Sequence, residues 1–110
     1  MNDGLKDAHR EALIAAMYEN PRIERAVLFG SRAMGTHSPE SDVDIALFGN
    51  ELTLDDHAKL AAAADALPMA QTVDIVLHHR ISSPELMKHI AEHGIEWFVR
   101  GRTVPQGAKA

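Results

Sequence analysis

The chain has no cysteine. That excludes a disulfide framework and thiolate chemistry, and it fits a reducing compartment. It also lacks a basic excess: 11 Lys and Arg stand against 16 Asp and Glu, a net charge of −5. Proteins that bind nucleic acid unaided usually carry a basic footprint, so direct nucleic-acid binding is not expected. No apolar run approaches membrane-spanning length. The opening segment Met1-Asn2-Asp3-Gly4-Leu5-Lys6-Asp7 is polar and acidic, without the charged-then-apolar order of a secretory signal. A cytoplasmic protein with no membrane contact is therefore expected. Internal repeats, linkers and low-complexity segments are also missing from this reading, and 110 residues suffice for one core but not two. The expectation is a single domain over 1–110, with its core at about 5–100 and a frayed tail at 103–110.

What the chain does have is Gly30-Ser31, then after ten residues Asp42-Val43-Asp44, then Asp74 inside the apolar run Val73-Asp74-Ile75-Val76-Leu77. From average residue usage, Gly-Ser-x10-Asp-x-Asp arises by chance in roughly one chain per thousand of this length. Residues two apart in a strand share a face, so Asp42 and Asp44 are expected to point together while Val43, Ile45 and Leu47 point into a core. In the second run Val73, Ile75 and Leu77 form an apolar face and leave Asp74 on the other. Neighbouring strands would set Asp74 beside Asp44. Clustered carboxylates repel and raise one another's pKa unless cations share the site. Mg²⁺ prefers oxygen ligands, and two such ions about 3.5–4 Å apart can clamp the attacking and leaving oxygens of an in-line displacement at phosphorus. Gly30 follows the apolar strand Ala26-Val27-Leu28-Phe29, where the missing Cβ lets backbone approach a phosphate. A helix opening at Ser31 would offer its hydroxyl and first-turn N–H groups to a triphosphate, with Arg32 adding a charged contact.

The remaining pattern supplies a scaffold. Leu5, Ala8, Ala12, Leu13, Ala16 and Met17 recur at helical spacing, predicting a helix over about 4–18 that Asn20-Pro21 ends. Strands are predicted at about 25–29, 43–48 and 73–78, and a loop at 35–41. Thr53 caps a helix running to about Leu67, and Ser83-Pro84-Glu85 starts one that ends at Gly94. Ile95, Trp97, Phe98 and Val99 then bring the chain back to the core. Strands alternating with helices imply an α/β layer architecture. The face bearing Asp42, Asp44, Ala46, Asp74 and Val76 is expected to be partly open.

Gly30-Ser31-Arg32-Ala33-Met34-Gly35, Ser41-Asp42-Val43-Asp44-Ile45-Ala46-Leu47 and Val73-Asp74-Ile75-Val76 together resemble the minimal nucleotidyltransferases of the DNA polymerase β superfamily. The resemblance spans about residues 5–100 and departs at Met34, where relatives often carry a basic residue. It implies a polymerase-β-like nucleotidyltransferase fold, a small mixed sheet with helices on one face. It implies two Mg²⁺ ions on Asp42, Asp44 and Asp74, with Asp74 also helping to deprotonate the attacking hydroxyl. ATP would be the substrate, its triphosphate held by Gly30 and Ser31. Small members of this kind often serve as antitoxins beside a HEPN-domain ribonuclease toxin, so AMP transfer to a toxin hydroxyl, a tyrosine above all, is the leading expectation. Two alternatives stay open: an antitoxin that neutralises by binding alone, and transfer to a small-molecule hydroxyl. A chain without extra domains is expected to complete its site with a partner or a second copy.

Other motifs carry less. His89-Ile90-Ala91-Glu92-His93 matches the His-x-x-Glu-His pattern of inverted zinc peptidases, but no clear third ligand accompanies it, and both histidines flank the stripe of Leu86, Met87 and Ile90. His78-His79 reads as an exposed strand end and His37 as a solvated loop residue near the nucleotide side. Trp97 and Phe98 read as core or partner-contact residues.

Overall fold

The computed structural model describes residues 3–100, so the tail expected at 103–110 lies outside the described residues. The elements run α1 (Asp7–Tyr18), β1 (Arg25–Phe29), α2 (Ser31–Met34), β2 (Val43–Phe48), α3 (Leu54–Asp65), β3 (Val73–Leu77), a 3-10 turn (His78–Arg80), α4 (Pro84–His93) and β4 (Ile95–Val99). The four strands make one mixed sheet in the order β3-β2-β1-β4. β1 runs antiparallel to both β2 and β4, while β2 and β3 are parallel, joined through α3. No helix among the described residues is long and apolar enough to cross a membrane.

Alternation along the strands divides the core in two. Ala26, Leu28, Val43, Ile45, Leu47, Ile75 and Leu77 meet Leu13 and Met17 of α1 and Leu60 and Ala64 of α3. Both helix pairs are four residues apart, the spacing that stacks side chains on one helix face. Val27, Phe29 and Ala46 point the opposite way and are closed by Ile90 of α4. The helical layer expected on one face is thus α1 and α3, and α4 covers part of the second. β1 is apolar and buried from Ala26 to Phe29 because it lies between both layers. Fully burying a side chain such as Leu28, 0% exposed, is worth about 1.5–3 kcal/mol.

Local sequence explains most element ends. Thr53 and Asp56 form a reciprocal capping box at the start of α3, and the Ser83 hydroxyl accepts the Leu86 N–H before Pro84 opens α4. Several elements differ from expectation, among them α3, which ends at Asp65 rather than about Leu67. α1 starts at Asp7 rather than near residue 4, because the buried Asp3 carboxylate takes the Leu5 N–H at 3.0 Å and the Arg10 guanidinium at 2.6 and 2.8 Å. β3 stops at Leu77, where His78 turns to stack on Phe48 with centroids 4.0 Å apart. The return segment, read only as core, is a fourth strand, β4, antiparallel to β1 across an irregularity at Ala26/Val27.

Candidate active site

Three strands carry a row of residues to one end of the sheet. Phe29 of β1 is registered with Asp44 of β2, and Asp44 with Asp74 of β3. Gly30, the residue after Phe29, leaves the strand at φ 79°, ψ −158° and opens α2. That region is essentially reserved for glycine. A Cβ on Gly30 would run into the Asp44 carboxylate, so the absent side chain is what lets the Gly30-Ser31 turn lie against β2. Ser31 is half-buried at the first position of α2, and the Gly30 carbonyl accepts the Ala33 and Met34 N–H groups at 3.1 and 3.2 Å.

The carboxylates differ in setting. Asp44 is half-buried, whereas Asp42 and Asp74 are exposed. Burial, then the Asp74 charge, then the Asp42 charge push the Asp44 carboxyl up to about 6. Asp44 therefore feels the charges of both other aspartates at this end of the sheet. Asp42 lies one residue before β2, so strand alternation does not by itself fix its direction. The Val43 N–H donates to the Thr72 carbonyl at 2.8 Å, tying that junction to the start of β3.

Among the described residues no group of three or more His, Cys, Asp or Glu side chains stands close enough to hold a metal ion. The chemistry of the donor set still fits a hard divalent cation. The donors are carboxylate oxygens only, and burial together with the Asp74 and Asp42 charges has raised the Asp44 pKa, a cost that a cation offsets.

Arg32 is a correction. The sequence suggested a phosphate contact, but the side chain is 1% exposed. Its guanidinium donates to the carbonyls of Asp3 at 2.7 Å, Ser41 at 3.0 and 3.2 Å, Pro39 at 3.3 Å and Ser38 at 3.4 Å. With its donors directed at five carbonyl contacts inside the protein, Arg32 fastens α2 to the N-terminal segment and to the loop that delivers Asp42. His37 likewise packs on that segment, where a Cβ on Gly4 would meet its ring. Trp97 and Phe98 pack against the larger core cluster.

One contact had no sequence signal. His89 Nε2 accepts the Gly30 N–H at 2.9 Å from 59 residues away. A cleft of about 410 Å³ lies along the outer edge of β3, lined in part by Val76, Leu77, Ile81, Ser83 and Leu86; Val76 shares the face of Asp74.

The model of the polymerase beta nucleotidyltransferase family matches residues 11–102. Among solved structures, a chain of a toxin–antitoxin complex with AMP-PNP superposes with a TM-score of 0.69 at 27% identity, over 84% of this chain and 74% of that one. An MNT antitoxin complex with a tri-AMPylated HEPN toxin from Shewanella oneidensis gives 0.65 at 22% identity, over 86% and 73% of the two chains. An MntA-HepT toxin–antitoxin complex gives 0.58 at 22%, again over 86% and 73%. At that identity the last two are likenesses of fold. No curated protein matches the chain. The family match covers most of the sequence and includes Gly30-Ser31 and all three aspartates, so the chain belongs to the polymerase beta nucleotidyltransferase family and is a nucleotidyltransferase.

Proposed function

We propose that the protein is an antitoxin that moves AMP from ATP to a tyrosine hydroxyl of a HEPN-type toxin, using Mg²⁺, in the cytoplasm. The observation that carries this reading is the row Gly30, Asp44, Asp74: a glycine turn packed on one carboxylate, with a second registered directly beside it. The likeness to a toxin–antitoxin complex holding AMP-PNP supports both the nucleotide and the setting.

Asp42 and Asp44 would hold both ions and Asp74 one of them; when bound, the ions neutralise the charge on the phosphate oxygens and orient the triphosphate. Turning the exposed Asp42 and Asp74 side chains toward Asp44 would complete the ligand set. Gly30 and Ser31 would seat the triphosphate, the glycine by close approach and the serine through its hydroxyl and N–H. The acceptor oxygen then bonds to the α-phosphorus while the bond from that phosphorus to the bridging oxygen breaks. Pyrophosphate leaves, and Asp74 assists removal of the acceptor proton. Catalysis is chiefly positioning and charge stabilisation, as in phosphoryl transfer at large. The open face beside Asp74 leaves room for the acceptor, which the partner supplies.

The test is incubation with α-labelled ATP, Mg²⁺ and the product of the neighbouring gene, repeated with Asp42→Ala/Asp44→Ala. Label on the partner that vanishes in the double variant is the expected result. Full protection from toxicity by that variant would instead establish neutralisation by binding alone.

A further inference from the structure

We propose that His89 is a positioning residue of the nucleotidyl-transfer site: from α4 it fixes the Gly30-Ser31 turn in the conformation that receives the triphosphate. This rests on the reading of that turn as the phosphate seat.

The sheet offers the Gly30 N–H no strand partner. β2 pairs with β1 only as far as Phe29, and β4 only as far as Leu28. A backbone donor left open near a core is unfavourable, and here a side chain supplies the acceptor. His89 Nε2 takes the Gly30 N–H at 2.9 Å, which requires that this ring nitrogen carry no proton. The ring is held on both sides. It meets Phe29 edge-on with centroids 6.1 Å apart, and the His93 ring lies at 5.4 Å. The backbone beneath it is anchored by Ile90, 3% exposed, against Val27, Phe29 and Ala46. Gly94 fixes the end of the helix, since a Cβ there would strike both the Ile90 carbonyl and Val27.

The geometry gives this bond its particular role. Gly30 at φ 79° has no Cβ and little intrinsic preference for one peptide orientation. Its freedom allows close approach to Asp44, and the same freedom lets the turn wander. A hydrogen bond to its N–H removes that freedom at the residue preceding Ser31. The first histidine of the His-x-x-Glu-His pattern is thereby accounted for without zinc, because its Nε2 is already committed to Gly30.

The loss expected on removing the bond is modest, because water can reach the half-buried Gly30. A net hydrogen bond of about 0.5–1.5 kcal/mol corresponds to roughly two- to twelve-fold in affinity. The experiment compares wild type, His89→Leu and His89→Gln, the last retaining an acceptor at similar reach. Three quantities are measured: hydrogen exchange of the Gly30 amide without nucleotide, calorimetric binding of AMP-PNP with Mg²⁺, and steady-state AMP transfer. His89→Leu is expected to speed Gly30 exchange selectively and to weaken AMP-PNP binding and raise KM for ATP by roughly five-fold, with kcat nearly unchanged. His89→Gln is expected to restore most of both. Unchanged Gly30 exchange and KM in His89→Leu, or a glutamine variant as impaired as leucine, would overturn the proposal, as would tighter AMP-PNP binding on loss of the histidine. If wild type binds no nucleotide, the phosphate-seat reading falls and this role falls with it, whereas normal wild-type binding with indifferent variants removes His89 alone. Should His89→Leu fail to fold, His89→Gln against His89→Asn decides, since only the longer amide reaches Gly30.

Discussion

Gly30 and Asp44 occupy space that admits no side chain on the glycine: a Cβ there would overlap the Asp44 carboxylate, and the backbone already stands at φ 79°. Gly30→Ala therefore meets a conformational penalty and a steric one together. The expected cost is about 1–3 kcal/mol of stability, with transfer activity lost beyond detection because the displaced carboxylate belongs to the proposed metal set. Thermal melting together with the labelling assay checks this, and an alanine variant of normal activity would contradict the placement of the turn.

Asp44 gives a pH signature of definite sign. Its carboxyl is pushed up to about 6 by burial and by the Asp74 and Asp42 charges, above the ordinary 3.8. The folded state thus binds this proton more readily than the unfolded one, and stability contributed by protonated Asp44 declines as pH rises from about 4 through 6. Allowing for solvent screening, the change is on the order of 1–2 kcal/mol. Urea unfolding without Mg²⁺ should show wild type losing stability across that window and Asp44→Asn losing little. At pH 7.5 Asp44→Asn should be the more stable protein, yet inactive. Mg²⁺ should stabilise wild type at pH 7.5 and progressively less below pH 6.

Arg32 should behave as a fastener and not as a phosphate ligand. Truncating it strands the carbonyls of Asp3, Ser38, Pro39 and Ser41. Arg32→Ala is expected to cost about 3 kcal/mol, lowering Tm by roughly 12–24 °C for a domain of this size. Arg32→Lys should lose part of that, since one ammonium cannot span the same carbonyls. KM for ATP, measured where the lysine variant is folded, should stay within about three-fold of wild type. A large rise in KM with unchanged Tm would restore the phosphate role.

Asp3 is buried yet charged. Burial alone would raise its pKa, but hydrogen bonds from Arg10 and the Leu5 N–H, with the Arg10 charge, hold it below the usual carboxylate value. The stability it confers is fully present above about 3.8 and is lost as pH falls through the lower folded value. Asp3→Asn should destabilise by about 1–3 kcal/mol at pH 7 and by much less near pH 2. Comparing urea midpoints at the two pH values, with Arg10→Ala as the matched partner, tests the pair. Equal losses at both would exclude the charge as the cause.

Local signals in the chain mark most of the scaffold. Thr53 with Asp56, Ser83 with Pro84, and Asn20 with Pro21 carry their own start and stop chemistry, and β1 to β3 follow from alternation over five or six residues. β4 escaped because Trp97 and Phe98 are adjacent and bulky while a register irregularity interrupts its ladder. α1 was drawn too long because the apolar spacing continues through Leu5, while the competing acceptor for the Leu5 N–H is the side chain of Asp3.

The sequence by itself determined the chemistry on offer: a glycine-serine turn and three aspartates at fixed spacing, two of them, Asp44 and Asp74, on strands whose alternation turns them away from the apolar face, because periodicity and side-chain type are local properties. Only the tertiary structure decided which partners those groups meet. The register of β2 with β3 sets Asp44 beside Asp74, the packing of α4 brings His89 to Gly30, and the burial of α2 turns Arg32 inward to carbonyls of two separate loops. Most of these contacts join residues about 30 to 59 positions apart, and their strength comes from burial and geometry that exist only once both layers have closed on the sheet.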